Sequence, residues 1–212
     1  MSSVPLKAAG QLSIWTDVDP AHELDFNRWY DREHMQERMA IPGFRRARRF
    51  RSVVSCPRPY LALYDTESVQ TFRSPAYQQA FAQQTEWSLR NFSRMRDTQR
   101  RVGELVVDVG PAEGGALALF AIRNATPERI APFFQSVIAR DHVMRASLLR
   151  TDVALSAPLS ATAPAAQADA VVMVEASEAD AAFDAANVLA TQLPADQGGG
   201  VFVFQVMSRF GT

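Results

Sequence analysis

The chain has 212 residues, a formal net charge of −1 and 47% hydrophobic residues, enough for one or two domains with a proper core. Near-neutral charge gives no field to hold nucleic acid or an anionic membrane surface, and no apolar run reaches the length that spans a bilayer. Cys56 is the single cysteine, which excludes an internal disulfide and suits a reducing, cytoplasmic setting. Met1–Gly10 lacks the apolar core and basic flank of a secretion signal.

In chain order, Gln11–Asp17 reads as a strand and Ala21–Met39 as a helix opened by Pro20, whose missing N–H costs nothing there. Ile41-Pro42-Gly43 stops the helix and turns into a strand over Gly43–Val53. Cys56–Pro59 is a turn, and Tyr60–Tyr64 a third strand. A helical region over Val69–Met95 is interrupted near Ser74-Pro75, with Ser74 as a cap for the helix that resumes. A fourth strand lies within Gln99–Val107. This is β-α-β-β-α-β, the split pattern of ferredoxin-like folds.

After a Gly/Pro-containing linker, Asp108–Gly115, the order repeats: strand Ala116–Arg123, helix Pro127–Met144, strands Ser147–Leu155 and Ala170–Glu175, helix Glu178–Leu193, strand Gly200–Met207. Between the second and third of these strands, Ser156–Asp169 is rich in Ala, Pro and Ser and reads as a mobile, dispensable hairpin loop. The expected domains are therefore 1–108 and 115–212, two tandem ferredoxin-like units in an α+β chain. Strands such as Ala116–Ile122 are apolar on both faces, so both faces are covered. The simplest packing sets the two sheets face to face as one eight-stranded barrel, with a ligand pocket between them.

The chemistry is uneven. All three tryptophans, all four tyrosines, His22 and His34 fall in the first half, so that half is expected to carry a site and the second to close the barrel. Tyr30, His34 and Arg38 are four apart and share a helix face, which makes His34 the candidate acid/base and Tyr30 its neighbour. His22 reads as a local hydrogen-bonding residue and His142 as a helix-end cap. Asp17, Asp19 and His22 form too weak a set for a metal; capping explains the aspartates. In the basic run Arg45–Arg51, strand alternation puts Phe44, Arg46, Arg48 and Phe50 on one face and Arg45, Arg49 and Arg51 on the other. These arginines read chiefly as carboxylate-paired, with one, Arg48, as a candidate holder of a substrate carboxylate or phenolate.

Trp29-Tyr-Asp-Arg-Glu-His34-Met-Gln-Glu37, then Ile41-Pro-Gly-Phe44, Arg48-Arg-Phe50, Tyr60-Leu-Ala-Leu-Tyr64 and Ser74-Pro-Ala-Tyr77, together resemble EthD-like members of the dimeric α/β-barrel superfamily over Leu12–Phe92. Gln36 stands where a proline usually follows the helix-borne histidine. The resemblance implies a barrel fold and a small-molecule pocket. It does not choose among monooxygenases, isomerases, lyases and haem proteins. The expectation is a cofactor-independent lyase, isomerase or oxygenase acting on a small apolar or aromatic molecule. Its catalytic residues are His34 and Tyr30, and its substrate-binding residues are Trp15, Asp17, Arg48, Tyr60, Tyr64 and Trp87. No metal, nucleic acid or membrane is expected, and a homodimer is compatible with the class. A haem protein and a non-catalytic hydrophobic binder are the alternatives.

Overall fold

In the computed structural model, which describes residues 9–123, 126–157, 168–193 and 200–211, the strands and helices follow the expected alternation. β1 (Gly10–Val18) passes into a 3-10 turn (Pro20–His22), where the Asp19 carboxylate accepts from the Ala21 amide at 3.0 Å. α1 (Glu23–Trp29) then runs unbroken through a π-turn (Tyr30–His34) into α2 (Met35–Met39). The single helix read from the sequence is thus present, but wound loosely at its centre, where the Met35 amide donates to the Tyr30 carbonyl five residues back. Gly43, at φ +92, makes the turn into β2 (Phe44–Ser52), and a Cβ there would lie 2.9 Å from Thr71 Oγ1.

β3 (Tyr60–Thr66) leads to α3 (Pro75–Ala82), capped by Ser74 accepting from the Tyr77 amide at 3.2 Å, and to α4 (Glu86–Phe92), capped by Thr85. β4 (Met95–Val109) starts at Met95, where the sequence predicted helix, because β1 runs on to Val18 and pairs there with Met95. The second half holds β5 (Ala116–Ile122), α5 (Pro127–Ile138), β6 (Val143–Thr151), β7 (Ala170–Ala176), α6 (Ala179–Gln192) and β8 (Phe202–Gly211). α5 stops at Ile138 rather than Met144, and β6 begins earlier than predicted. No glycine or proline marks that reversal. His142 makes it in the left-handed conformation, φ +66, with Nδ1 3.1 Å from Ser177 Oγ.

The strands close into an antiparallel barrel in the order β1-β3-β2-β8-β5-β7-β6-β4. Within each half the arrangement is the same: the first strand lies between the fourth and the third, and the second lies outside the third. Each half is a ferredoxin-like sheet, and the edge strands of one pair with those of the other, β2 with β8 and β4 with β6. Closure removes every free edge, the least protected part of an open sheet.

Alternation along the strands then divides the core in three. Inside the barrel sit Trp15, Phe50, Leu61, Leu63, Leu117, Leu149, Met173 and Phe204, so side chains fill the space between the sheets where the sequence argument put a pocket. Under the helices of the second half lies an all-apolar layer around Phe120, Phe134, Val172 and Leu189. Under those of the first half lies an aromatic layer around Phe26, Trp29, Tyr30 and Tyr64.

At one end of the interior the packing is ionic. Arg48 Nη1 is 2.6 Å from Glu175, Arg145 reaches both Glu175 (3.2 Å) and Asp108 (2.6 Å), and Arg46 pairs with Asp65 and Glu113. Arg48 and Glu175 are each 1% exposed and come from different halves. Burial disfavours the Arg48 charge, but Glu175, Asp65 and Glu113 reverse that and raise its pKa. Glu113 belongs to the expected linker, which is therefore tied to this ion cluster through Arg46 and Arg48. A bulge between Phe44 and Arg46 also corrects the expected facing: Phe44 sits on the helix side with Ala47 in the aromatic layer, while Phe50 faces the interior.

Most of the predicted loop, residues 158–167, lies outside the described residues, but its ends are fixed. The Ser156 hydroxyl accepts from the Val102 amide at 2.9 Å, and the Asp169 carboxylate takes Arg101 and the Thr151 hydroxyl. Ser156 and Asp169 are thus framework residues rather than loop.

Removing one member of the interior ion cluster should show what it holds. Arg48→Met leaves Glu175 short of a partner and should cost about 3–5 kcal/mol in chemical denaturation, the usual loss for a broken buried pair. Adding Glu175→Gln should restore part of it. A loss below about 1 kcal/mol would show that the apolar interior alone joins the halves.

Candidate functional site

The π-turn and α2 lie over β1, β3 and β4 of the first half, with α3 and α4 beside them, and the space left between is a cleft. Tyr30, His34 and Arg38 line it from the helix, Leu12, Ile14, Tyr64 and Arg100 from the sheet, Tyr77, Phe81 and Gln84 from the α3 side, and Phe92 and Met95 from the α4 side. Its cavity volume is about 40 Å³, room for a few waters and below the roughly 300–1,000 Å³ of small-molecule sites, so a larger ligand requires the cleft to widen at its open end. Tyr30, His34, Arg38 and Tyr64 are buried, whereas Phe81 is 46% exposed, so the cleft has a deep end and an open one.

His34 sits in an aromatic box. Its ring lies 4.3 Å from Trp29 in a tilted stack, with Tyr30, Phe92 and Tyr64 edge-on at 5.3, 5.7 and 6.4 Å. Its Nδ1 is buried and makes no hydrogen bond, and the same holds for Arg38 Nε; the Tyr64 hydroxyl, also without a close partner, interacts with the neighbouring Tyr30 hydroxyl. Three polar atoms without a close partner line one cleft. Buried polar groups are nearly always satisfied, so such a cluster marks a place where a ligand completes the bonding. Arg38 is held only loosely by the Ala80 carbonyl and Gln84 Oε1, both at 3.4 Å, and its nearest carboxylate oxygen, on Glu37, is 4.0 Å away.

The charges around this box fix its protonation. Burial, reinforced by the Arg38 and Arg49 guanidiniums, holds the His34 pKa well below the ordinary histidine value, so the imidazole is neutral and keeps a free lone pair. Burial and the neighbouring Tyr30 push the Tyr64 hydroxyl well above the usual tyrosine range, so it stays a donor. Tyr30 is raised too, chiefly by burial, with Arg49 stacked over its ring at 4.2 Å drawing it back. Arg49 itself is bound by Asp31 and Asn27 at 2.9 and 2.7 Å.

Of the eight residues singled out from the sequence, the cleft gathers three: His34, Tyr30 and Tyr64. Trp15 points into the barrel, where its Nε1 donates to the Arg58 carbonyl at 2.6 Å, and Arg48 is also inside, on Glu175. Tyr60 is on the helix side, but its hydroxyl is taken by Glu23 and Asn27. Trp87 donates to Asp25 at 3.2 Å from α4, and Asp17 lies half-buried beyond the bulge of β1. Sequence reasoning missed Arg100, Tyr77, Phe92 and Met95. Their only signal is pairing: Arg100 is opposite Ile14, and Val102 opposite Leu12, so Arg100 shares the helix-facing side of β4. Among the described residues, no group of three His, Cys, Asp or Glu side chains is placed to hold a metal ion, and no helix is long and apolar enough to cross a membrane.

The sequence matches no protein-family model and no curated protein. Solved structures do resemble it. An anthrone oxidase-like protein superposes with a TM-score of 0.59 at 9% identity, over 96% of this chain and 93% of that one. A monooxygenase-like protein from Lactobacillus acidophilus gives 0.60 at 5% identity, over 97% of each chain. A haem-binding protein from Thermus thermophilus gives 0.52 at 10% identity, over 96% and 92%. At such identities the likeness is one of fold, and the fold shared is the dimeric α/β barrel, built here within a single chain.

Proposed function

We propose that the chain is a cofactor-independent enzyme of the EthD-like kind that removes a proton from a small, largely aromatic molecule in the His34 cleft. The observation that carries this reading is the convergence of His34, Tyr64 and Arg38, each with a buried polar atom that lacks a close hydrogen-bond partner. The neutral His34 imidazole accepts the proton. The Tyr64 hydroxyl and the Arg38 guanidinium stand ready for the negative charge that appears as the proton leaves, a preorganised arrangement that costs no reorientation during the step. Tyr30, edge-on to the His34 ring and covered by Arg49, holds the imidazole in place. The resulting carbanion or phenolate goes on to isomerise, eliminate or meet dioxygen according to its own structure. The likeness to an anthrone oxidase-like protein and a monooxygenase-like protein supports the last of these routes.

An axial imidazole must offer a nitrogen to an open macrocycle face, and the four aromatic rings whose centroids lie within 6.4 Å of the His34 ring favour the cofactor-free reading over haem. A haem-free absorption spectrum after reconstitution with haemin is the expected result. A stable Soret band lost in His34→Gln would favour the haem reading.

Proton removal can be followed without knowing the full reaction. Anthrone incubated with the protein in D₂O should exchange its acidic methylene hydrogens, read by NMR. His34→Gln should slow the exchange by roughly a hundredfold or more. Tyr64→Phe should slow it by about a hundredfold, the usual worth of one donor to a developing anion, and His142→Ala should leave it unchanged. Exchange indifferent to His34→Gln would leave a hydrophobic binder as the better description.

The depressed His34 pKa also makes stability depend on pH. The unfolded chain protonates this histidine near the ordinary value of about 6.5, while the folded protein does so only at lower pH. Between the two values the unfolded state binds more protons, so stability falls as pH falls. The loss begins near pH 6.5 and is complete below the folded pKa. Melting temperatures of wild type and His34→Gln measured downward from pH 7 should therefore diverge, with the variant losing less. Parallel curves would show that the imidazole is not buried neutral.

A further inference from the structure

We propose that the ligand of this cleft has two ends: an aromatic part whose reactive hydrogen reaches His34, and a permanently anionic group of the carboxylate type held by Arg100 at the mouth. This rests on the proposed proton-transfer site and adds the class of molecule it takes. The lining of the cleft contains two arginines and no aspartate or glutamate. Among the described residues, Arg100 is bonded only to neutral groups, the Leu155 and Ala157 carbonyls and the Tyr77 hydroxyl at 3.1 Å. Elsewhere in the barrel the pattern is the opposite: Arg46, Arg48, Arg49, Arg101 and Arg145 each have a carboxylate within 3.2 Å. A half-buried guanidinium with neutral partners alone keeps its full charge facing the cleft, and a carboxylate supplies the strong, charge-assisted bonds it lacks.

The two arginines differ in position: Arg38 follows His34 by one turn of the same helix, at the reacting end, whereas Arg100 stands on β4 beside Tyr77 and the exposed Phe81, at the open end. Tyr77 orients Arg100, and the exposed Phe81 ring lies 6.0 Å from its guanidinium carbon. The apolar part of the lining includes Leu12, Ile14, Phe92 and Met95, which matches an aromatic body. The carboxylate-holding role expected of Arg48 thus falls to Arg100, because Glu175 already occupies Arg48.

The test uses 2-naphthoate and its methyl ester, titrated calorimetrically into the full chain. The acid should bind wild type more tightly than the ester does. Arg100→Gln should weaken the acid by at least about tenfold and leave the ester unchanged, and Arg100→Lys should keep part of the preference. Circular dichroism melting checks that both variants fold; should Arg100→Gln fail to fold, Arg100→Lys and the salt dependence of acid binding to wild type carry the comparison. Equal binding of acid and ester, or acid binding indifferent to Arg100, overturns the anionic end. The exchange of neutral anthrone, which needs no Arg100, would still stand. Absence of binding by both probes overturns the proposal together with the cleft as a ligand site.

Discussion

Barrel closure is the constraint from which the rest follows. Neither half can leave its sheet open, because the face turned away from its helices is apolar and its edge strands have unpaired amides. Pairing β2 with β8 and β4 with β6 answers both problems together. It also brings eight strands' inward side chains into one volume, and large residues such as Trp15, Phe50 and Phe204 fill it. A ligand site between the sheets would need that volume empty. The open space lies instead on the far side of the first sheet, under its helices.

The arginines show how placement decides the meaning of a charge. The densest basic stretch, Arg45–Arg51, looks like a binding surface in one dimension. In three, Arg48 meets Glu175 inside the barrel, Arg49 meets Asp31 beside Tyr30, and Arg51 meets Glu23 at the surface. Charges whose partners come from the same chain are structural. Arg38 and Arg100, apart in sequence, have no carboxylate oxygen closer than 4.0 Å among the described residues, and both open onto the cleft.

The two halves share a topology but not a chemistry. Beneath α5 and α6 the layer is built of Ala, Val, Leu, Ile and Phe, which packs densely and leaves no polar atom to satisfy. Beneath the first-half helices the π-turn widens the helix so that Tyr30 and His34 both reach the sheet, where burial strips the imidazole of its proton. The resulting orphaned groups are expensive to maintain in a folded protein, and a packed apolar layer of the second kind would avoid them. Among the described residues, His34, Arg38 and Tyr64 bring three such atoms to one cleft, and that makes the first half the place to look for chemistry.

Period and order along the chain were enough to read the repeat, the α+β class and the barrel, because strand alternation, helix spacing and capping residues such as Ser74 are local properties. The histidine face was legible for the same reason: Tyr30, His34 and Arg38 lie on one helix whatever that helix packs against. The pairing of distant strands was not legible. Register alone sets Arg100 opposite Ile14 and sends Trp15 and Arg48 inward, and a single bulge moves Phe44 to the opposite face from the one alternation assigns it. Nor could local signals find the reversal at His142, which uses neither glycine nor proline. What a side chain touches depends on residues far away along the chain, and only the closed barrel brings them together.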